Sequence, residues 1–175
     1  NYRVYIMCGL LGEFGKIQSP RSEFDSLLKL SENRGSDMVG YYNNLKRKKD
    51  HTPFLQFGFN RLSILDFSNN ANQPIISKSK KYVVMCNGEI TNYLKLRTEM
   101  GLKTKDLQSS SDTEILCHAL DYYGIRETIN RLNGMYVIVI YDLINNNIFL
   151  IRDPAGIKPL YFAQTKSGWI FASQY

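Results

Sequence analysis

Cys8 stands between Met7 and Gly9 near the start of the sequence. If translation starts at Met7, removal of that methionine leaves Cys8 with an α-amine beside its own thiol. An α-amine titrates near ~7.7–8.0 and a thiol near ~8.5, so at neutral pH the amine can take the thiol proton, directly or through water. Nucleophile and base then share one residue and no histidine is required, which suits a sequence with only 2, His51 and His118. The competing reading is a small buried hydrophobe in a strand, the usual place of a cysteine thiol.

Asn87-Gly88-Glu89 offers a second chemistry. Asn-Gly is a common tight-turn pair. A side-chain amide beside a glycine N–H is also a two-donor pocket for the oxyanion of an acyl-transfer intermediate, and glycine lets the substrate come close. Arg61 interrupts an apolar run, where it either faces water or clamps a carboxylate through two N–H groups. Asp112 falls in the first turn of a predicted helix; the helix dipole alone favours it there, and it could equally pair with an ammonium. A thiol nucleophile, an oxyanion pocket, a carboxylate clamp and an ammonium partner are together what hydrolysis of the side-chain amide of a free amino acid needs.

Local elements must hold these groups. Tyr2 to Leu11 is apolar and β-branched enough for a buried strand, and strand-like runs recur at Met38 to Tyr42, Phe54 to Leu65 and Tyr82 to Cys86, with a polar loop from Asp66 to Gln73. Phe24, Leu27, Leu28 and Leu30 recur at helical spacing ahead of Gly35. A second helix is predicted from Asn92 to Met100. Ser111-Asp112-Thr113-Glu114 reads as a capping box, with Ser111 and Glu114 satisfying orphan N–H groups, and the helix it opens should end at Gly124 in a left-handed stop. Strands are predicted again at Met135 to Asp142, Asn147 to Arg152, Lys158 to Ala163 and Trp169 to Ala172. Their turns are Asn145-Asn146, Asp153-Pro154-Ala155-Gly156 and Lys166-Ser167-Gly168. Strands, helices and strands in that order predict an α+β fold with antiparallel sheets and helices packed outside.

Composition narrows the functional classes. With 43% hydrophobic and 22% charged residues among 175, the chain is not disordered, collagenous or coiled-coil. Its longest apolar run, Met135 to Tyr141, is far short of the ~20 residues of a spanning helix, so no membrane segment is expected. The net charge of +6 gathers at Lys46-Arg47-Lys48-Lys49 and Lys78 to Lys81, read as solvated loops. The first cluster lacks the interleaved aromatics that stack on bases, so no nucleic-acid partner is expected. Cys8, Cys86 and Cys117 are too scattered for a disulfide framework and lack zinc-ligand spacing, which points to a reducing cytoplasm and no metal.

Seven segments in order carry a family resemblance: Met7-Cys-Gly-Leu-Leu-Gly12, Arg34-Gly-Ser-Asp37, Arg61-Leu-Ser-Ile-Leu-Asp66, Gln73-Pro74, Asn87-Gly-Glu-Ile-Thr-Asn92, Ser111-Asp-Thr-Glu114 and Arg152-Asp-Pro-Ala-Gly-Ile-Lys-Pro-Leu-Tyr161. Together they resemble the class II glutamine amidotransferases, and Asn-Gly-Glu-Ile is the form seen in asparagine synthetases. The resemblance implies an N-terminal-nucleophile fold, two antiparallel sheets stacked between helical layers, and hydrolysis of glutamine to glutamate and ammonia. By position it implies that Cys8 attacks the amide carbon while the Asn87 side chain and the Gly88 N–H hold the oxyanion. It further implies that Arg61 binds the glutamine α-carboxylate, Asp112 with Glu89 binds the α-amino end, and Leu62 and Ser63 line the pocket through their backbone. Residues 7–175 are then the amidotransferase domain. Residues 1–6 are read as an extension, from a misassigned start or an appended stretch in preference to a propeptide cut between Met7 and Cys8. In the family a C-terminal synthetase domain uses the ammonia to amidate aspartate. Nothing in the sequence resembles that domain's Ser-Gly-Gly nucleotide loop, so ATP and magnesium are expected only there and no cofactor in this domain. Expected partners are glutamine and the synthetase domain, with a homodimer left open. Another amide acceptor and a catalytically silent regulatory module are the alternatives.

Overall fold

Phe54–Arg61 is buried at all eight positions, so the strand it forms must be covered on both faces and flanked on both edges. The structure, a computed structural model, describes residues 8–45, 52–63, 66 and 68–175. In chain order the described elements are β1 (Gly9–Gly15), α1 (Arg21–Lys29), β2 (Met38–Asn43), β3 (Phe54–Arg61), β4 (Ile75–Ile76), β5 (Tyr82–Ile90), α2 (Tyr93–Glu99), α3 (Asp112–Tyr123), α4 (Ile125–Arg131), β6 (Gly134–Asp142), β7 (Asn147–Arg152), β8 (Tyr161–Gln164) and β9 (Gly168–Ala172). They divide into two compact units, one running to Ser63 and resuming at Pro159, the other spanning Ile64–Lys158.

The first unit is an antiparallel sheet in the order β2-β3-β1-β9-β8. Its β1–β3 register runs from Gly15 against Phe54 to Gly9 against Asn60, so β1 begins one residue after Cys8 and β3 ends at Arg61. Helix α1 lays Phe24 and Leu28 on this sheet, against Leu11 and, more peripherally, Ile170 and Ala172.

The second unit is an antiparallel sheet in the order β4-β5-β6-β7. Val84, Cys86, Ile138 and Ile140 from its two central strands pack with Ile115, Leu116 and Leu120 of α3, each at most 3% exposed. Cys86 and Cys117 are buried within this cluster, and none of the three cysteines is in a disulfide.

Several elements differ from their sequence reading. The first strand begins at Gly9 and continues to Gly15, beyond the expected Leu11; residues 2–7 of that reading lie outside the described residues. β3 ends at Arg61, so Leu62 and Ser63 lie beyond the strand, and residues 64 and 65 are outside the described set, as are 46–51 with the first basic cluster. The largest difference is β5, which does not stop at Cys86: Asn87, Gly88 and Glu89 pair with Val137, Tyr136 and Met135 of β6, so Asn87-Gly88 is strand and not a turn. α3 ends at Gly124 as expected, with φ 76° but ψ 172°, an extended corner instead of a left-handed cap, and α4 follows at once.

Candidate functional site

The first unit holds the thiol and the arginines. Cys8, partly exposed, has its Sγ 3.3 Å from the Leu62 N–H that donates to it and 3.7 Å from the Leu62 carbonyl. Leu62 therefore meets the Cys8 thiol through its backbone. Ser63 N–H donates to Asp37 Oδ2 at 2.7 Å, and Asp37 N–H donates to the Arg61 carbonyl at 3.1 Å. Asp37 thus pins the chain on both sides of Leu62. Arg61 is only 5% exposed, which overturns the water-facing reading of this residue; its Nη1 lies 3.5 Å from Met38 Sδ.

Arg34, quoted above only as part of a motif, stands beside the thiol residue: its Nε donates to the Cys8 carbonyl at 3.3 Å, and its buried Nη2 has no acceptor among the described residues. Burial lowers the Arg34 pKa from its usual value, opposed by Cys8 and Tyr161. Gly35 explains how this arginine gets so close, because a β-carbon there would overlap the backbone of Asn60 and Arg61. The signal available in the sequence was Arg34-Gly-Ser-Asp37 itself, but nothing in its spacing said which strand it would face.

The second unit holds the amide and the acids. Asn87 is 1% exposed, and its Nδ2 has no acceptor among the described residues. A buried amide donor left unpaired costs about 1–3 kcal/mol, so its persistence calls for a ligand or a catalytic use. Gly88 has φ +149°, and a β-carbon on it would overlap the Met135 carbonyl, so no other residue fits at this point of the β5–β6 ladder.

Asp112 is 7% exposed at the first position of α3 and accepts the Ile90 N–H at 2.8 Å. Burial raises its pKa, the Ile90 and Thr113 backbone N–H groups oppose the rise, and the charge of Glu89 adds to it. A carboxylate strained in this way gains from an incoming ammonium. The capping box forms only in half. Ser111 Oγ accepts the Glu114 N–H at 3.1 Å, but Glu114 accepts from the Gln108 and Ser109 N–H groups at 2.8 and 2.6 Å, one turn further out, so it fastens the loop ahead of the helix. Asp66, a second anchor of that loop, accepts the Ser110 N–H at 2.7 Å; hydrogen bonds from Ser68 and Ser110 hold its pKa well below the usual carboxylate range.

The predicted residues therefore fall into two groups, Cys8 with Arg61, Leu62 and Ser63 in one unit and Asn87, Gly88, Glu89 and Asp112 in the other. Comparison with known proteins gives these groups a context. A family model described as a glutamine amidotransferase domain matches residues 7–175. The chain is 34% identical over 173 residues to asparagine synthetase (glutamine-hydrolyzing) 1 of Bacillus subtilis, covering 96% of this chain and 26% of that protein. It is 33% identical over 165 residues to the human asparagine synthetase (glutamine-hydrolyzing), covering 94% and 28%. The chain thus spans about a quarter of the length of these relatives. Among solved structures, the glutamine phosphoribosylpyrophosphate amidotransferase of Bacillus subtilis, complexed with ADP and GMP, superimposes with a TM-score of 0.73 at 20% identity, covering 95% of this chain and 42% of that one. That likeness shows the N-terminal-nucleophile fold expected from the sequence. With the family model matching essentially all of the chain, this protein belongs to the glutamine amidotransferase domain family.

Proposed function

We propose that the chain hydrolyses glutamine to glutamate and ammonia, the ammonia serving ATP-dependent amidation of aspartate by a synthetase domain of a longer protein. The observation that carries this reading is the buried Asn87 carboxamide, whose Nδ2 has no acceptor among the described residues, beside a position that only glycine can occupy. The α-amine of Cys8 takes the thiol proton and the thiolate attacks the amide carbon of glutamine. The resulting oxyanion accepts hydrogen bonds from Asn87 Nδ2 and the Gly88 N–H. The proton held on the amine passes to the departing nitrogen, ammonia leaves, and water then cleaves the thioester to release glutamate. Arg61 binds the substrate α-carboxylate, Asp112 with Glu89 its α-ammonium, and the Leu62 and Ser63 backbone lines the pocket. These steps draw on no cofactor; ATP and magnesium belong to the synthetase reaction. Three cysteines without a disulfide suit a reducing compartment, and the cytoplasm is the one proposed. Among the described residues no helix is long and apolar enough to cross a membrane.

The test is release of glutamate and ammonia in equal amounts from glutamine by protein shown by intact mass to begin at Cys8. Folded protein of that kind that releases neither contradicts the proposal.

The raised pKa of Asp112 predicts a pH dependence of binding. In the ligand-free protein the proton is held more tightly than in an unfolded chain, so stability falls as pH rises from the ordinary aspartate pKa to the raised one. Bound glutamine reverses the preference, because its α-ammonium favours the carboxylate. Affinity should therefore weaken as pH drops through the raised value, above the range expected of an ordinary aspartate near ~3.9. Titrating glutamine into Cys8→Ala protein between about pH 4 and 7 should show this loss. Asp112→Asn added to it should bind more weakly, with a flat profile. A flat profile in the protein that keeps Asp112 rules out the assignment.

A further inference from the structure

Gln73 is 7% exposed and lies two residues ahead of the short strand β4. The β4–β5 register pairs Ile75 with Val84 and Ile76 with Val83, so the same register extended backward sets Gln73 opposite Cys86. Pro74 intervenes, with no N–H to give to a ladder, and the backbone pairing stops there. The Gln73 side chain takes its place: Oε1 accepts the Cys86 N–H at 2.6 Å, and Nε2 donates to the Cys86 carbonyl at 3.1 Å. One carboxamide satisfies both polar groups of the residue immediately before Asn87. The same Nε2 lies 3.4 Å from Thr113 Oγ1, on the helix whose first residue is Asp112.

At its other end the Asn87-Gly88-Glu89 stretch is held in a matching way, since the Ile90 N–H donates to Asp112 Oδ2 at 2.8 Å. Three residues of β5 are therefore bracketed between two side-chain clamps, Gln73 on Cys86 and Asp112 on Ile90. Both clamps tie back to the first turn of α3. β6 pairs along the opposite edge throughout, while the Gln73 clamp holds the other edge just ahead of Asn87. An oxyanion donor must be placed before the charge develops, because reorganising it during the reaction forfeits its worth.

We propose that Gln73 is a positioning residue for the Asn87 oxyanion donor, fixing the peptide from which that side chain projects. This rests on the amide-hydrolysis reading above and adds to it a residue that touches no substrate. Because the clamp acts through Asn87, its loss should appear in the chemical step and not in ground-state binding of glutamine.

The experiment compares Gln73→Met, Asn87→Ala and the double variant, each beginning at Cys8 and checked for folding by circular dichroism. Gln73→Met should lower kcat about 10- to 100-fold, the scale of an ångström-sized misplacement, with KM within about two-fold. In the Asn87→Ala background the same substitution should cost no more than about two-fold further, because the two residues act as one unit. Unchanged kcat, a loss confined to KM, or losses that multiply in the double variant would overturn the proposal. If Gln73→Met does not fold, Gln73→Glu, of equal size and still able to accept the Cys86 N–H, is judged by the same criteria, since it lacks the donor to the Cys86 carbonyl. Failure of the underlying reading looks different: Asn87→Ala would then retain the parent kcat whatever Gln73 does.

Discussion

Cys8→Ala is expected to reduce glutamate release to the uncatalysed background while leaving the fold intact. In the proposed mechanism the thiol forms the covalent intermediate, so its removal leaves no nucleophile for that step. Cys8 is partly exposed, and its Sγ accepts a long N–H bond from Leu62 at 3.3 Å. Losing that contact costs about 1 kcal/mol, or about 2–4 °C in Tm for a domain of this size. Stoichiometric glutamate release by a folded Cys8→Ala protein would remove this residue from the mechanism.

Asn87→Ala is expected to lower kcat by about 10²- to 10³-fold with KM within about two-fold, the usual consequence of losing one oxyanion donor. The structure sharpens this prediction, because Asn87 Nδ2 makes no hydrogen bond to a described residue in the resting protein. The substitution therefore breaks no such bond from that nitrogen, and melting curves can separate a catalytic loss from a folding one. A loss seen wholly in KM would make Asn87 a binding residue.

These two residues also show how far the sequence could be read. The Cys8 reading rests on local facts alone, the thiol it carries and the methionine ahead of it, and the fold adds the backbone of Leu62 beside that thiol. For Asn87-Gly88 the sequence offered a tight turn or a donor pair, and local rules favoured the turn, which the structure replaces by strand. The decisive fact is nonlocal: β6 pairs with β5 through to Ile90, and a glycine with φ +149° lets the strand run past the Met135 carbonyl. Arg61 was ambiguous for the same reason. An arginine in an apolar run can face either side, and only the packed sheet shows that this one is buried. The helix opening at Ser111 was read at the right residue, yet the reach of Glu114 went to Gln108 and Ser109 because a glutamate side chain can fasten a loop as readily as a cap. Gln73 carried no helical or strand period and sat in a polar stretch. Its clamp on Cys86 exists only once β4 lies antiparallel to β5.

The central claim is that the α-amine of Cys8 is the base that activates its own thiol. The most direct test prepares the chain in two forms, one retaining Asn1 to Met7 and one beginning at Cys8, each verified by intact mass, and measures glutamate release from glutamine. In the longer form the Cys8 nitrogen is an amide that cannot accept a proton at neutral pH. The account predicts turnover by the form beginning at Cys8 and background release by the form retaining Asn1. Comparable turnover by protein shown to keep Asn1 throughout the assay would contradict it.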